Sequence, residues 1–329
     1  MLRCSSCGRR AVYHQRTSGV FLCDRCLIKS VERRFWRTVS KNKLIEPNER
    51  IAVAVSGGKD STTLLHLLAK YCRHQACELV VLSIDEGIEG YRDRSLLLAR
   101  ENAKTLGLEH IVVSFRDAFG AGLDQMTKLA KQKGSLNLCT CCGVLRRSLL
   151  NQASRELKAD RLATAHNLDD EVQAIMLNYV RGDLSRLHRL GPIYPSKEGF
   201  VPRIKPLREI PEKEIALYAL LRELKVELTT CPYVGGMRSE IRDFINQLET
   251  NHPTTKYMIL RMFDRLKPHL AEALPEFKLG RCEVCGEPTP SDVCKACELL
   301  GKLGLGRRKE KIIPSCTDYF RRPLPPKIA

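Results

Sequence analysis

The chain has 329 residues, enough for roughly two or three domains, with 43% hydrophobic and 28% charged residues. That composition excludes wholesale disorder, collagen and coiled coil, and no apolar run approaches the ~18–20 residues needed to span a bilayer. Lys and Arg number 55 against 38 Asp and Glu, a formal charge of +17, which favours a polyanionic partner because basic side chains gain affinity by releasing counterions from phosphates.

The first residues, MLRCSSCGRR, lack the apolar segment of a secretory signal. The chain is therefore expected in the cytoplasm, where clustered cysteines bind metal more often than they form disulfides. Cys4, Cys7, Cys23 and Cys26 stand as C-x2-C-x15-C-x2-C, the paired spacing of a tetrahedral zinc site. Phe35 and Trp36, beside Arg34 and Arg37, have two readings, stacking on a base or, the favoured one, packing in a linker helix that follows this module.

From Arg50 the pattern alternates. Arg50–Val55 is a short apolar run ending at glycines, the look of a buried parallel strand, and Ser61–Tyr71 follows with leucines at helical spacing. Glu78–Ile84, His110–Phe115 and Arg161–Ala165 read as further strands. Arg92–Leu106, Val144–Leu157 and Leu168–Val180 read as helices, as do Ile215–Leu224, Glu240–Leu248 and Tyr257–Ala273. Strands alternating with helices predict an α/β fold, a doubly wound parallel sheet covered on both faces.

Between the first strand and its helix lie Ser56, Gly57, Gly58, Lys59, Asp60 and Ser61. Two glycines let the backbone approach a ligand, the helix start supplies a positive dipole end, and Lys59 and the serine hydroxyls add donors, so the loop reads as a phosphate cradle. It does not fit the G-x4-G-K-[ST] loop of nucleoside triphosphatases. It resembles the pyrophosphate loop (PP-loop) of N-type ATP pyrophosphatases, in which this turn grips the phosphates that leave. The end of the second strand, Ile84 and Asp85 onward, is the expected place for adenine and ribose, since doubly wound sheets bind ligands at the carboxyl ends of strands.

Cys139, Cys141 and Cys142 crowd together in the middle, with Cys231 as the only later cysteine before the C-terminal set. On spacing alone three readings stay open: a three-cysteine iron–sulfur site, a redox thiol pair, or buried cysteines. Cys282, Cys285, Cys294 and Cys297 form a second zinc-type set, C-x2-C-x8-C-x2-C. Cys72, Cys77, Cys141 and Cys316 have no assigned role. The expected domains are a zinc module at 1–32, a PP-loop domain at 33–275, a zinc module at 276–303 and a basic tail at 304–329.

Taken together, SGGKDS after a strand, DEGIEGYRD, CTCCGVLRR, HNLDDE, NYVRGD and CPY resemble the cytosolic tRNA 2-thiolation proteins of archaea and eukaryotes, relatives of the TtuA-type tRNA thiolases. Both flanking cysteine modules belong to the pattern, so the resemblance covers nearly the whole chain. It implies an adenine nucleotide alpha-hydrolase-like sheet flanked by N- and C-terminal zinc ribbons holding two Zn2+. It implies ATP with Mg2+, adenylation of the C2 carbonyl oxygen of the wobble uridine of tRNA, and replacement of that oxygen by sulfur. It also implies a [4Fe–4S] cluster on Cys139, Cys142 and Cys231, and sulfur from a ubiquitin-like carrier protein. A second thiolation subunit or a homodimer is a further implied partner, and no membrane is involved.

By the same match Lys59 and Asp170 carry the chemistry, with Asp170 orienting the uridine or a magnesium ion; His166, at a strand end, has two open readings, a contact to the nucleotide or a packed side chain. Carboxylates at a helix start are often only N-caps, which stays open for Asp169 and Asp170. Arg146 stands where TtuA-type members have a catalytic lysine. An arginine stays protonated and can hold an oxyanion, but it is a poor proton shuttle. The wording L-R-R with Arg147 points to the wobble branch. The alternatives are the T-loop uridine by the same chemistry, or another tRNA-adenylating PP-loop enzyme.

Overall fold

The computed structural model describes residues 2–133, 138–194, 198–233, 236–272, 279–307 and 312–313. Cys316 and most of the expected basic tail lie outside the described residues. A hairpin of β1 (Tyr13–Gln15) and β2 (Val20–Leu22) leads into α1 (Asp24–Lys41). Strand and helix then alternate through β3 (Arg50–Ala54), α2 (Lys59–Gln75), β4 (Glu78–Asp85), α3 (Arg92–Thr105) and β5 (His110–Ser114). Helices α4 (Phe115–Phe119), α5 (Leu123–Lys133) and α6 (Leu138–Glu156) precede β6 (Arg161–Ala163). The sheet is completed after α7 (Leu168–Val180) and α8 (Leu184–His188) by β7 (Ile193–Tyr194) and β8 (Arg203–Ile204). Helices α9 (Glu212–Leu221), α10 (Met237–Asn251) and α11 (Thr255–Glu272) follow, then the hairpin β9 (Gly280–Arg281) and β10 (Pro288–Thr289), and α12 (Lys295–Leu303).

The six strands are ordered β5-β4-β3-β6-β8-β7; β3, β4, β5, β6 and β8 are parallel and only β7 runs antiparallel, at one edge. The central strands are apolar on both faces because both are covered. Ala52, Val80, Leu82, Ile84 and Val113 enter one core with α5, α6 and α12, while Ile51, Val53, Leu79 and Val81 enter the other with α1 and α2. In α2, Leu64, Leu65, Leu67 and Leu68 are fully buried, each contributing about 1.5–3 kcal/mol of burial. A smaller core joins α7, α10 and α11 through Val172, Ile245, Leu260 and Phe263. Among the described residues no helix is long and apolar enough to cross a membrane.

Three sequence expectations change here. Helix α6 begins at Leu138 and not at Val144, so the cysteine cluster is helical. The boundary expected after residue 32 falls inside α1, which is one continuous helix whose Leu27, Val31 and Phe35 enter the same core as the sheet. Phe35 is fully buried and Trp36 packs edge-on against Tyr71, a packing role as expected. Cys72 and Cys77, without an assigned role until this point, are joined by a disulfide between the end of α2 and the approach to β4. They come together because the chain turns back there through Ala76 in the left-handed conformation.

Candidate active site

The chain runs from β3 outward to β4 and β5, then returns to place β6 on the other side of β3. That reversal opens a crevice at the carboxyl ends of β3 and β6, where open α/β sheets bind ligands. The loop Ser56–Ser61 sits at one lip. Gly57 has a φ of +86°, and a Cβ there would lie 2.0 Å from the carbonyl oxygen of Ser95, so only glycine fits between loop and α3. The Ser61 hydroxyl accepts from Ser56 N (3.1 Å), donates to Gly58 O (3.1 Å) and lies 3.0 Å from Ser56 Oγ, which folds the loop on itself. Gly58 N-caps α2 without any side-chain hydrogen bond. The N-terminal N–H groups of a 17-residue helix are thus left to an external acceptor.

Lys59 Nζ lies 2.9 Å from Asp60 Oδ2 and 2.7 Å from Glu212 Oε1. These carboxylates raise its pKa against the desolvation that lowers it, so the ammonium stays charged. Asp60 also accepts from Asn167 Nδ2 at 3.0 Å, tying the loop to the β6–α7 turn. That turn is fully capped. Asn167 Oδ1 accepts from Asp170 N (3.0 Å) and Asp170 Oδ2 accepts from Asn167 N (3.3 Å), a reciprocal capping box. Asp170 Oδ1 also meets Arg238 Nη2 at 3.0 Å. Desolvation, with Asp60 and Glu212 nearby, pushes the Asp170 carboxyl up to about 6 despite Arg238. Asp169 pairs with Lys256 and accepts from Glu212 N, a structural role. His166 lies 3.0 Å from Thr164 Oγ1. Desolvation by the surrounding protein and repulsion from Lys205, Arg203, Arg238 and Arg147 hold its pKa well below the imidazole range.

At the end of β4 the two residues expected at the nucleotide also make contacts within the fold. The Ile84 carbonyl is occupied by Arg92, whose Nε lies 2.8 Å away. Asp85 accepts from Gly87 N at 2.9 Å and so holds the turn. Sequence reasoning left Glu86 and Arg92 without a role, although both lie in the DEGIEGYRD stretch. Both are buried, at 3% and 4% exposure. Glu86 carries Arg92 on one carboxylate oxygen (2.7 Å) and Arg146 on the other (2.6 Å).

Arg146 Nη2 reaches Cys142 Sγ at 3.3 Å. Burial pushes the Cys142 thiol up to about 11, opposed by Arg146, whose own charge Glu86 and Cys142 stabilise against desolvation. On α6, Cys139 and Cys142 are three residues apart and share a face; Cys139 is exposed, Cys142 is buried, and Cys141 beside them is buried in the core at 1% exposure. The Cys139 thiol donates to the carbonyl of Tyr233, 94 residues on and two past Cys231. The Cys231 segment is therefore laid against the cysteine face of α6. The three sulfurs are not packed to the 4.8 Å spacing of a single-ion site. Three cysteine donors are the kind of set that can hold an iron–sulfur cluster with one iron left open.

The two flanking sets differ. Within each, all four sulfurs lie within 4.8 Å of one another. Cys7 to Cys23 is 3.5 Å, Cys26 to Cys7 3.6 Å and Cys285 to Cys294 3.7 Å. A zinc tetrahedron with Zn–S of ~2.3 Å has sulfur–sulfur edges of about 3.8 Å, so both sets could hold one ion each.

A family profile described as a PP-loop domain matches residues 28–229. A tRNA 2-thiolation protein NcsA of Haloferax volcanii is 38% identical over 317 residues, 91% of this chain and 98% of its own length. A cytoplasmic tRNA 2-thiolation protein 1 of Oryza sativa is 37% identical over 93% of this chain and 86% of its own. The solved structure of a U34-tRNA thiolase NcsA from Methanococcus maripaludis, with its [4Fe–4S] cluster, superposes with a TM-score of 0.82 at 38% identity, covering 94% of this chain and 99% of that one.

Proposed function

The chain belongs to the PP-loop tRNA 2-thiolation family, and from that premise we propose that it is an ATP-dependent sulfurtransferase that converts the wobble uridine of tRNA to 2-thiouridine in the cytoplasm. The observation that carries this reading is the meeting, at the carboxyl end of the parallel sheet, of an uncapped phosphate loop with two α6 cysteines and the segment bearing Cys231. Residues Ser56–Ser61 hold the β- and γ-phosphates of ATP, and Lys59 turns from Asp60 and Glu212 to the phosphate charge. The carboxylates of Asp60 and Asp170 face Mg2+, which neutralises the triphosphate. Arg147, Arg203 and Arg238, gathered about His166, receive the RNA backbone.

The C2 carbonyl oxygen of the uridine attacks the α-phosphorus and pyrophosphate leaves. A sulfur nucleophile then adds at C2, and AMP departs with the original oxygen. Arg146, fixed by Glu86, stands ready to stabilise the oxyanion formed at C2; it donates hydrogen bonds and does not shuttle protons. Cys139, Cys142 and Cys231 would hold a [4Fe–4S] cluster, which supplies an open iron site for sulfur. The sulfur comes from a ubiquitin-like carrier. Two zinc ions fasten the flanking modules. In anaerobic assays with tRNA, ATP and sulfide, nucleoside mass analysis should show 2-thiouridine at the wobble position. Lys59→Ala should lower its rate by roughly 10²–10³-fold while tRNA binding survives. Modification of a T-loop uridine instead would overturn the wobble assignment.

A further inference from the structure

Two separate hydrogen-bonded routes join the phosphate loop to the sulfur site. The first runs through buried charge. Arg92 Nη1 donates to the Ser56 carbonyl at 2.7 Å, its Nε meets Glu86 Oε2 at 2.7 Å, Glu86 Oε1 meets Arg146 Nε at 2.6 Å, and Arg146 Nη2 touches Cys142 Sγ at 3.3 Å. The second runs through backbone. Glu227 N donates to the Gly57 carbonyl at 2.9 Å and Glu227 pairs with Gly58 in a parallel bridge. The Glu227 carboxylate then holds Leu228 N (3.0 Å) and Thr229 N (2.9 Å), fixing the segment that leads to Cys231. The loop carbonyls of Ser56 and Gly57 thus answer to one cysteine of α6 and to the cysteine of the distant segment.

A carboxylate buried with one guanidinium and reaching a second, half-exposed one is a costly filler, because Glu86 and Arg92 must both be desolvated, and apolar side chains of similar volume often serve stability as well. What the arrangement adds is fixed geometry between two sites. Resting on the function proposed above, we infer that Glu86 and Arg92 are positioning residues that couple occupancy of the nucleotide loop to occupancy of the three-cysteine site. Neither touches substrate. Nucleotide phosphates that pull on the Ser56–Gly58 backbone shift Arg92, and through Glu86 they set where Arg146 points. Because coupling is reciprocal, a filled cysteine site must change the affinity of the loop for nucleotide by the same factor.

The test is a thermodynamic cycle read by calorimetry with Mg2+ and a non-hydrolysable ATP analogue. The Kd is measured for the anaerobically loaded and the metal-free central site in wild type, Glu86→Gln and Arg92→Lys, with zinc content and melting temperature recorded for each. The wild-type Kd should differ about fivefold or more between loaded and cluster-free protein. In both variants this ratio should fall below about twofold, with cluster content retained. A merely structural role would weaken binding in both states alike and leave the ratio intact, so an unchanged ratio in folded variants overturns the inference. A loaded wild type with the same Kd as its cluster-free form also overturns it while leaving the proposed function standing. A wild type that binds nucleotide but takes up no cluster overturns both.

Discussion

The outer and the central cysteines follow different rules of assembly. Each outer set is built within a short stretch, on a hairpin and the start of a helix. Its four sulfurs lie within 4.8 Å of one another before any ion is considered. The central trio draws two sulfurs from α6 and one from a segment that only the whole fold brings near. Local sites of the first kind lend stability to short segments lacking a core of their own. A site of the second kind forms only when the sheet is already in place, which suits a reactive centre beside the nucleotide loop.

Substitutions should separate the two kinds. Cys142→Ala should lower thiolation by roughly 10³-fold or more and remove iron, leaving zinc content and folding intact; loss of zinc with iron would erase the contrast. Cys294→Ser, in the outer set, should release one zinc and lower the melting temperature by roughly 5–15 °C, while iron binding at the central site persists. The smallest effect probes the sheet beneath the loop. His110 Nε2 lies 2.8 Å from Ser83 Oγ, which donates to the carbonyl of Val55 just before Ser56. Burial, helped by Arg100 and Arg92, pushes the His110 pKa down to about 4. The folded state therefore resists protonation. Its contribution is present above the unfolded imidazole value near 6.5 and is lost as pH falls toward 4. Denaturant titrations should show wild type losing on the order of 1–2 kcal/mol more than His110→Gln between pH 7.5 and 5. Equal losses would contradict the assignment.

Much of this was readable from the chain alone. Buried parallel strands are continuous apolar runs, the SGGKDS loop sits between a strand and a helix, and paired C-x2-C spacings are local, so these features declare themselves. Other features depend on tertiary contacts. Helix α6 starts early although Thr140 and Gly143 are poor helix formers, because Cys141, Cys142 and Leu145 are held in the core. The pairing of Glu86 with Arg146, and of Lys59 with Glu212, spans elements that no spacing rule connects. Asp170 shows both sides. As a residue opening a helix it had two readings, and it does serve as half of a capping box while facing Asp60 and Arg238 across the site.

The central claim is that eleven of the fifteen cysteines divide by position into two sets suited to zinc and one open set suited to an iron–sulfur cluster. Iron, acid-labile sulfide and zinc analysis of the anaerobically purified wild-type chain, alongside its wobble-uridine thiolation rate, tests it most directly. The account predicts about four irons, about four sulfides and about two zincs per chain, with activity lost when the iron is removed. A fully active chain free of iron, or one whose central cysteines hold zinc, would contradict it.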